Sequence, residues 1–529
     1  MKEIKIYDTT LRDGTQAEGI SFSKTDKVRI AECLDNLGVA YVEGGWPGSN
    51  PKDMGFFEEV KGRKFKNTKI AAFGSTRRAS NPVEEDANIL TLLQAETPVV
   101  TIFGKSWLLH VNDVLRITPD KNLEIVKDSC AYLVANDREV IFDAEHFYDG
   151  YLDNPGYAMD VLKSAVDNGA GTIVLCDTNG GVLPSKISEI TQTVRNAFPN
   201  KVQLGIHCHN DIGTAIASSL AGVDAGATHI QGTMNGFGER CGNANLCSII
   251  PSLELKMGMK ALPKGNLIHL KNTSKFVYDL ANLKPEKSHP YVGDSAFAHK
   301  GGMHVNAVNK NPITFEHVNP ETVGNKRRIL ISDLSGTSNI LIKAEEHNVN
   351  LKKNDPEVRK ILSELKKLEA EGYEFESAGA SFELLMQKMT GNHVPYFKLD
   401  GFRVIIEKRG NDEPCISEVT VKLNVDGETE ITAAEGDGPV NALDKALRKS
   451  LTRFYPEISD VVLTDFKVRI LEGNDGTNAK TRVLIESTDG ESNWGTVGLS
   501  ENIIEASWEA LVDSIEHVLY KKNADRIIS

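Results

Sequence analysis

QLGIHCHNDIGTA (residues 203–215) begins as a short apolar strand and ends as a polar turn that carries two histidines. The same order of β-branched strand, polar turn and helical stretch recurs up to Leu255. Helical patterns include Thr25–Leu37, Leu123–Ala135, Pro155–Asn168 and Pro184–Phe198. The strand candidates are Ile4–Tyr7, Ala40–Glu43, Lys69–Phe73, Val99–Phe103, Val140–Asp143, Thr172–Cys176, Gln203–His207 and His229–Gly232. Eight such units in roughly 250 residues predict a (β/α)8 TIM barrel, an α/β fold.

An open doubly wound sheet is the alternative that a repeating strand–helix pattern allows. Such a sheet normally has fewer strands and a glycine-rich phosphate loop directly after the first of them. In this chain the first strand is followed by TTLRDGTQ (residues 9–16), which is not a loop of that kind. The pattern therefore favours the closed barrel.

The rest of the chain has two further patterns. Residues 263–395 are mostly helical, with a loop-rich patch at His289–Asn306 and a charged amphipathic helix at Lys352–Gly372 that we interpret as a solvated connection. A unit of three strands and a helix then occurs twice, at Arg403–Lys408, Ile416–Val425, Thr429–Ala433 and Val440–Phe454, and at Val461–Leu471, Thr481–Glu486, Trp494–Leu499 and Ile503–Val518. We predict a barrel domain at 1–262, helical linker subdomains at 263–395 and a C-terminal α+β domain of (βββα)2 type at 396–529.

Composition narrows the class of protein. The 529 residues carry a formal net charge of −14, which argues against nucleic acid and anionic membranes as main partners. The seven cysteines are scattered without CxxC spacing, which favours reduced thiols over a disulfide framework. The N-terminus lacks the apolar core of a secretory signal, and no apolar run approaches the ~18 residues of a bilayer span. A cytoplasmic protein is expected.

Ionisable and amide side chains follow the predicted strands. In a TIM barrel the functional residues lie where the strands end and the next loops begin. At those positions this chain has Arg12, Asp13, Glu43, Arg77, Lys105, Asp143, Glu145, Asp177, Thr178, His207, His209, Asn210, Asn235, Glu239, Arg240 and Asn243. A barrel with only a structural role would not need them.

The pair His207 and His209 is the sharpest local signal. Side chains two apart on a strand face the same way, so both imidazoles point into the barrel mouth. Two neutral imidazoles and a carboxylate form a divalent metal site with open positions, and Asp13 is the carboxylate on a neighbouring strand. Asn243 could add an amide oxygen. An isolated HxH is more often a hydrogen-bonded pair, but its place at a strand end, with Asp13 after the first strand, favours the metal site.

Other candidate residues have two interpretations each. Arg12 is either a surface arginine or a fixed guanidinium that stabilises a developing oxyanion. Glu145 and His304, which lies in FAHKGGMHVNA (residues 297–307), are acid/base candidates, although His304 could be an ordinary loop histidine. Thr178 could bind a substrate carboxylate or cap a helix. GDGPV (residues 436–440) is either a helix start or a small-ligand site.

Three segments resemble a known enzyme family. DTTLRDGTQ (8–16), GIHCHNDIGTA (205–215) and GFGERCGNANL (236–246) are similar to the signature segments of the 2-isopropylmalate synthase, homocitrate synthase and citramalate synthase family, which also includes 3-hydroxy-3-methylglutaryl-CoA lyase. The resemblance covers nearly the whole chain. FGSTRRAS (73–80), TIFGKSWLLHV (101–111), FDAEHFYDGY (142–151) and LCDTNGG (175–181) look more like the longer citramalate synthases than like isopropylmalate synthases.

The resemblance implies an acyltransferase that converts the acyl group to an alkyl group on transfer (EC 2.3.3.-). It would condense acetyl-CoA with pyruvate to (R)-citramalate and CoA, in isoleucine biosynthesis. It implies a divalent metal ion (Mn, Mg or Zn) held by Asp13, His207, His209 and Asn243. It also implies a homodimer whose C-terminal domain senses an amino acid, with isoleucine as the expected inhibitor.

The same resemblance assigns roles to the remaining residues. Arg12 would polarise the keto oxygen, Glu145 would be catalytic, and Thr178 would bind the substrate carboxylate. His304 would be the catalytic histidine of the helper subdomain. The keto-acid pocket is expected from Phe73, Phe103 and Asp143. The family often has a tyrosine within NPITFEHVNPETVG (311–324), where this chain has Phe315, so His304 would carry more of the proton transfer.

Four other functions compete with this one. Another synthase of the family would use 2-oxoisovalerate, as 2-isopropylmalate synthase does for leucine biosynthesis, or 2-oxoglutarate. A lyase would cleave a hydroxyacyl-CoA, but the C-terminal sensing domain disfavours it. An iron oxygenase with two histidines and one carboxylate is usually a jelly roll. A non-catalytic amino-acid sensor would not need Asp13, His207 and His209.

Overall fold

The computed structural model describes residues 2–199, 202–347, 349–471 and 479–528, with side chains described as far as Lys522. The chain forms two compact units, Met1–Phe297 with His317–Lys326, and Ala298–Glu316 with Arg327–Ser529. The three-domain division predicted from the sequence stays a prediction. No helix among the described residues is long and apolar enough to cross a membrane.

The first unit is a closed barrel of eight parallel strands, which confirms the predicted (β/α)8 fold. The strands are β1 Lys5–Asp8, β2 Tyr41–Gly45, β3 Lys69–Ser75, β4 Val99–Lys105, β5 Glu139–Glu145, β6 Thr172–Asp177, β7 Gln203–Cys208 and β8 His229–Gly232. The helices are α1 Lys24–Leu37, α2 Pro51–Val60, α3 Ala87–Gln94, α4 Pro119–Ala135, α5 Phe147–Asp153, α6 Pro155–Asp167, α7 Pro184–Ala197, α8 Ala215–Asp224, α9 Leu246–Leu255 and α10 Leu270–Leu280. β1 pairs with β8 as well as with β2, which closes the barrel.

Strand alternation divides the buried residues of the barrel into two layers. Outward residues such as Ile6 on β1 and Val42 on β2 pack against the helices. Inward residues form a separate cluster that fills the barrel interior: Tyr7, Tyr41, Ala71, Val99, Ile141, Val174 and Cys176. Because these side chains fill the barrel, polar groups at the carboxyl ends of the strands lie above a packed floor.

The second unit joins helices to one pair of two-residue parallel strands and to two three-stranded sheets. Its first part contains α11 Gly302–Lys310, α12 Thr337–Glu346, α13 Pro356–Glu371, α14 Gly379–Thr390 and the two-residue strands β9 Ala298–His299 and β10 Arg328–Ile329. Its second part has the predicted (βββα)2 order: β11 Lys398–Glu407, β12 Ile416–Val425, β13 Glu428–Gly436 and α15 Pro439–Leu451, then β14 Val462–Ile470, β15 Thr481–Thr488, β16 Asn493–Ser500 and α16 Ile503–Ile528. Both sheets are antiparallel.

The interpretation of Lys352–Gly372 as a solvated connection is wrong. The helix exists as α13, but Val358, Ile361 and Leu365 on one face are fully buried. They share a core cluster with residues of α12 and α14. The charged residues of the segment occupy the opposite face, so the helix is amphipathic as predicted, but only its charged face is solvated.

Candidate active site

Three side chains predicted at the barrel mouth converge on one point. Asp13 follows β1, while His207 and His209 lie at and just after the end of β7. One ligand atom from each residue lies within 4.8 Å of the other two, and all three residues are buried. His207 Nε2 is 3.3 Å from Asp13 Oδ2. A carboxylate and two imidazoles at such separations are a donor set for a divalent metal with open positions.

Asn243, the predicted fourth ligand, reaches the same point. Its Nδ2 donates to Asp13 Oδ2 over 2.9 Å and lies 3.5 Å from His207 Nε2. Its Oδ1 is buried and has no hydrogen-bond partner among the described residues. A half-turn of the amide exchanges oxygen and nitrogen with little change of shape. That turn would direct the orphaned oxygen towards the other three ligands, so the residues present fit a metal ion.

The electrostatics keep these groups in metal-binding forms. Burial opposes ionisation of Asp13, but Arg12, His207 and His209 outweigh it and lower the pKa of this carboxyl group. Burial, reinforced by His207, lowers the pKa of His209 to about 3, so its imidazole is neutral. A metal binds carboxylates and neutral imidazoles, not their protonated forms.

Arg12 is fixed beside the three ligands. Its Nε donates to Glu43 Oε1 and an Nη donates to Asp13 Oδ1, each over 2.5 Å. Its guanidinium carbon lies 3.7 Å from the centroid of the Phe73 ring. Tyr7 in turn donates to the second oxygen of Glu43 over 2.7 Å. A guanidinium held on two sides is preorganised to stabilise a negative oxygen.

A cavity of about 240 Å³ opens over this cluster. The indole of Trp46 meets the Phe73 and Phe103 rings edge-on, with ring centroids 5.9 and 5.6 Å away, and the two phenyl rings stack at 5.4 Å. The cavity is lined by Arg12, Asp13, Gln16, Trp46, Phe73, Phe103, Asp143, Glu145, Cys176, Thr178, His207, His209 and Glu239. The cavity thus has charged groups at its base, and the rings of Trp46, Phe73 and Phe103 form an aromatic wall along one side. Every predicted site residue of the barrel except Asn243 lines it.

Glu145 and Thr178 lie on the opposite rim. Lys105 forms an ion pair with Glu145, which is half-buried. The Thr178 hydroxyl accepts a hydrogen bond from the His146 backbone over 2.9 Å. It is therefore a cavity residue whose hydroxyl proton remains available to a ligand.

Beneath His207 a chain of buried polar groups crosses the barrel. His207 Nδ1 is 2.8 Å from Gln231 Oε1, and Gln231 Nε2 donates to Asp143 Oδ1 over 2.9 Å. Burial, with Glu43 nearby, raises the pKa of Asp143 well above its ordinary value. The sequence predicted Asp143 as a pocket residue, and it both lines the cavity and ends this chain.

His304 belongs to the second compact unit, on α11. Its ring lies against that of Phe315, with centroids 4.2 Å apart, and both side chains are exposed. Phe315 is thus the direct neighbour of His304, and the role predicted for His304 stays a prediction.

Sequence reasoning assigned no role to Glu43, Trp46 or Gln231. Glu43 was visible at a strand end, but its contact with Arg12 depends on the barrel closing. Trp46 stands one residue beyond β2 and reaches the cavity through its contacts with Phe73 and Phe103. The inward position of Gln231 could have been predicted from the alternation of side chains along a strand, because it shares the inward face of β8 with His229, two residues before it.

Known proteins match the whole chain. The HMGL-like family model matches residues 3–277, the homocitrate synthase post-HMGL domain-like model matches 291–373, and the LeuA allosteric (dimerisation) domain model matches 376–519. The (R)-citramalate synthase of Geobacter sulfurreducens is 56% identical over 98% of each chain. That of Aquifex aeolicus is 54% identical over 100% of each. The 2-isopropylmalate synthase of Methanocaldococcus jannaschii is more distant, at 30% identity over 98% of this chain and 95% of its own.

The barrel, its ligand cluster and the domain order define an HMGL-like enzyme with a C-terminal LeuA-type domain. Within that class the chain belongs to the (R)-citramalate synthase family. The predicted family and the predicted class of enzyme, an acyltransferase, are confirmed.

Proposed function

We propose that this chain condenses acetyl-CoA with pyruvate and hydrolyses the thioester, so that acetyl-CoA, pyruvate and water give (R)-citramalate and CoA. The observation that carries the proposal is the cluster of Asp13, His207 and His209 beside the Arg12 guanidinium, under a cavity of about 240 Å³. The (R)-citramalate synthase relatives support it. Such a reaction would start a route from pyruvate to isoleucine.

Asp13, His207 and His209, with the amide oxygen of Asn243, would hold a divalent ion, either Mn, Mg or Zn. Once bound, the ion supplies Lewis-acid polarisation of the 2-oxo group and a template for the substrate. The mixed carboxylate, imidazole and amide donors suit borderline and hard cations. They offer no thiolate, which disfavours a metal that prefers sulfur.

The chain's own residues supply the rest of the chemistry. Arg12 is held by Glu43 and Asp13 so that its free N–H groups face the cavity, where an alkoxide would develop. Glu145, paired with Lys105, is the candidate base for the methyl proton of acetyl-CoA. Thr178 would donate its hydroxyl proton to the carboxylate of the 2-oxo acid.

The aromatic wall suits a small 2-oxo acid. Trp46, Phe73 and Phe103 pack against one another, so the wall resists the displacement that an isopropyl group would need. They also exclude water from the reacting carbon. Each extra methylene is worth only about 1–3 kcal/mol of discrimination, so preference is a matter of degree.

The test is CoA release, followed with a thiol reagent, from acetyl-CoA and each of pyruvate, 2-oxobutyrate, 2-oxoisovalerate and 2-oxoglutarate. We expect the highest kcat/KM with pyruvate. Release with 2-oxoisovalerate and not with pyruvate would refute the proposal in favour of 2-isopropylmalate synthesis. Identification of the product as (R)-citramalate separates condensation from simple thioester hydrolysis.

His304 would contribute an acid or base to the same reaction. A phenol is absent at the neighbouring position, where Phe315 contacts the imidazole, so proton transfer would rely on His304 and water. Phe315→Tyr, which places a hydroxyl next to this ring, should change the pH dependence of kcat. The cytoplasmic location predicted from the sequence stays a prediction.

The C-terminal domain would dimerise the protein and bind isoleucine as an inhibitor. A second cavity, of about 480 Å³, lies along α15, from Val440 at the end of GDGPV to Arg448 in the last turn. Its walls include Val440, Val462 and Phe466, which suit a branched aliphatic side chain. Asp444 and Arg448 provide the opposite charges that an amino acid needs.

Arg448 supplies the best argument for a ligand there. Its Nε donates to Asp444 and one Nη donates to the Val461 carbonyl, whereas its other Nη is buried without a hydrogen-bond partner among the described residues. Arg448→Met should raise the isoleucine concentration for half-inhibition at least about tenfold. Lys445→Met, an exposed change on the same helix, should leave inhibition as in the wild type. Equal inhibition of both variants would exclude this cavity.

A further inference from the structure

Gln231 separates two groups that do not touch each other. It is a fully buried residue of β8. Its side chain lies between those of His207 on β7 and Asp143 on β5. Its side-chain oxygen is 2.8 Å from His207 Nδ1, and its nitrogen donates to Asp143 Oδ1 over 2.9 Å. No water is needed to complete this chain, because each end of the amide already has a partner.

The direction of the amide decides where His207 carries its proton. With the Gln231 oxygen towards the ring, Nδ1 must be the N–H donor, so Nε2 keeps its lone pair. Nε2 is the atom that faces Asp13 Oδ2, at 3.3 Å. With the amide reversed, the ring would carry its proton on Nε2, and that lone pair would be lost.

Asp143 selects the first direction. Its Oδ1 accepts from the Gln231 NH2 group over 2.9 Å, which keeps the amide oxygen on the side of His207. The carboxyl group of Asp143 therefore determines, through the Gln231 amide, which ring nitrogen of His207 carries the proton.

We propose that Gln231 is a positioning residue that, anchored by Asp143, fixes the ring orientation and the Nδ1–H tautomer of His207 for metal binding. The inference rests on the metal site of the proposed function and not on the identity of the 2-oxo acid. Gln231 does not line the cavity, and it contacts the site through His207 and Asp143, which do. Loss of such an outer partner lowers metal affinity by about 10–100-fold in comparable sites.

The first test is the affinity of the metal-free protein for Mn²⁺, measured by calorimetric titration. Gln231→Met keeps the size of the side chain but neither accepts from Nδ1 nor donates to Asp143, and we expect affinity to fall about 10–100-fold. Gln231→Glu keeps an acceptor for Nδ1 but loses the donor to Asp143, so we expect a smaller loss of affinity than in Gln231→Met. Thr191→Val is the matched control, because it removes one buried hydrogen bond, with Tyr148 over 2.7 Å between α5 and α7, and neither residue lines the cavity.

A second readout reports the tautomer directly. In metal-free protein labelled with ¹⁵N-histidine, and with the His207 signals identified by their loss in His207→Asn, the wild type should show a protonated Nδ1 and an unprotonated Nε2. Gln231→Met should shift the signals towards the other tautomer. A merely structural role would not move them.

The outcomes separate a failure of the role proposed for Gln231 from a failure of the metal site itself. Weak affinity in Gln231→Met, a smaller loss in Gln231→Glu and near-normal affinity in Thr191→Val support the inference. Wild-type affinity and an unchanged tautomer in Gln231→Met overturn it, as does an equal loss in Thr191→Val. If the wild type itself binds no Mn²⁺, the metal site of the proposed function fails, and the inference fails with it.

Discussion

Arg12→Lys keeps a positive charge at the barrel mouth but removes the planar fork that contacts two carboxylates. In the native side chain one nitrogen donates to Glu43 and another to Asp13, each over 2.5 Å. A lysine ammonium is a point charge that cannot keep both contacts and also face a substrate oxygen. Loss of one preorganised donor to a developing oxyanion costs about 2.7–4 kcal/mol, a fall of roughly 10²–10³ in kcat.

The assay is the rate of CoA release at saturating acetyl-CoA and pyruvate, with the Mn²⁺ affinity of the metal-free variant measured alongside. The second measurement is needed because Arg12 also lowers the pKa of Asp13. Arg77→Lys is the matched control: the Arg77 side chain is also largely buried and is paired with Asp128 and Glu124, outside the lining of this cavity. We expect normal kcat in this control. A kcat for Arg12→Lys within about threefold of the wild type would refute the oxyanion role.

Three further predictions follow from the same contacts. His207→Ala should lower Mn²⁺ affinity and CoA release together by about 100-fold or more; normal affinity would remove His207 from the ligand set. Phe103→Ala opens the aromatic wall, and the ratio of kcat/KM for 2-oxoisovalerate to that for pyruvate should rise about 10–200-fold. An unchanged ratio would show that another contact discriminates. Burial raises the pKa of Asp8 to about 7, so the folded chain holds a proton that the unfolded chain loses near pH ~4. The contribution of Asp8 to the free energy of unfolding should therefore fall as pH rises between those values, by up to ~1.4 kcal/mol per unit, and Asp8→Asn should reduce the slope measured in denaturant unfolding by that amount. An equal slope in the variant would assign it to other groups.

The barrel could be predicted because its signal is local. Each strand is short and apolar on both faces, as expected for a sheet that is covered by helices outside and filled inside. Function-bearing side chains follow these strands directly, so Arg12, Asp13, His207 and His209 could be grouped from topology alone. The same reasoning grouped Asn243 with them, because the loop after the eighth strand returns to the mouth, and Asn243 contacts Asp13.

What could not be predicted depends on side chains meeting across the barrel. The contact of Arg12 with Glu43 joins β1 to β2, and Gln231 joins β7 to β5 through its amide, which no spacing in the sequence encodes. The helix at Lys352–Gly372 was misinterpreted for a related reason. Its charges dominate the composition, while the burial of Val358 and Ile361 depends on neighbouring helices.

Metal dependence of the condensation tests the central claim most directly. Metal-free protein is titrated with Mn²⁺ while CoA release from acetyl-CoA and pyruvate and the bound metal per chain are followed together. The cluster of Asp13, His207 and His209 predicts no release without metal and a rise that ends at one ion per chain. Full release of CoA from metal-free protein, or a rise that continues unchanged in His207→Ala, would contradict it.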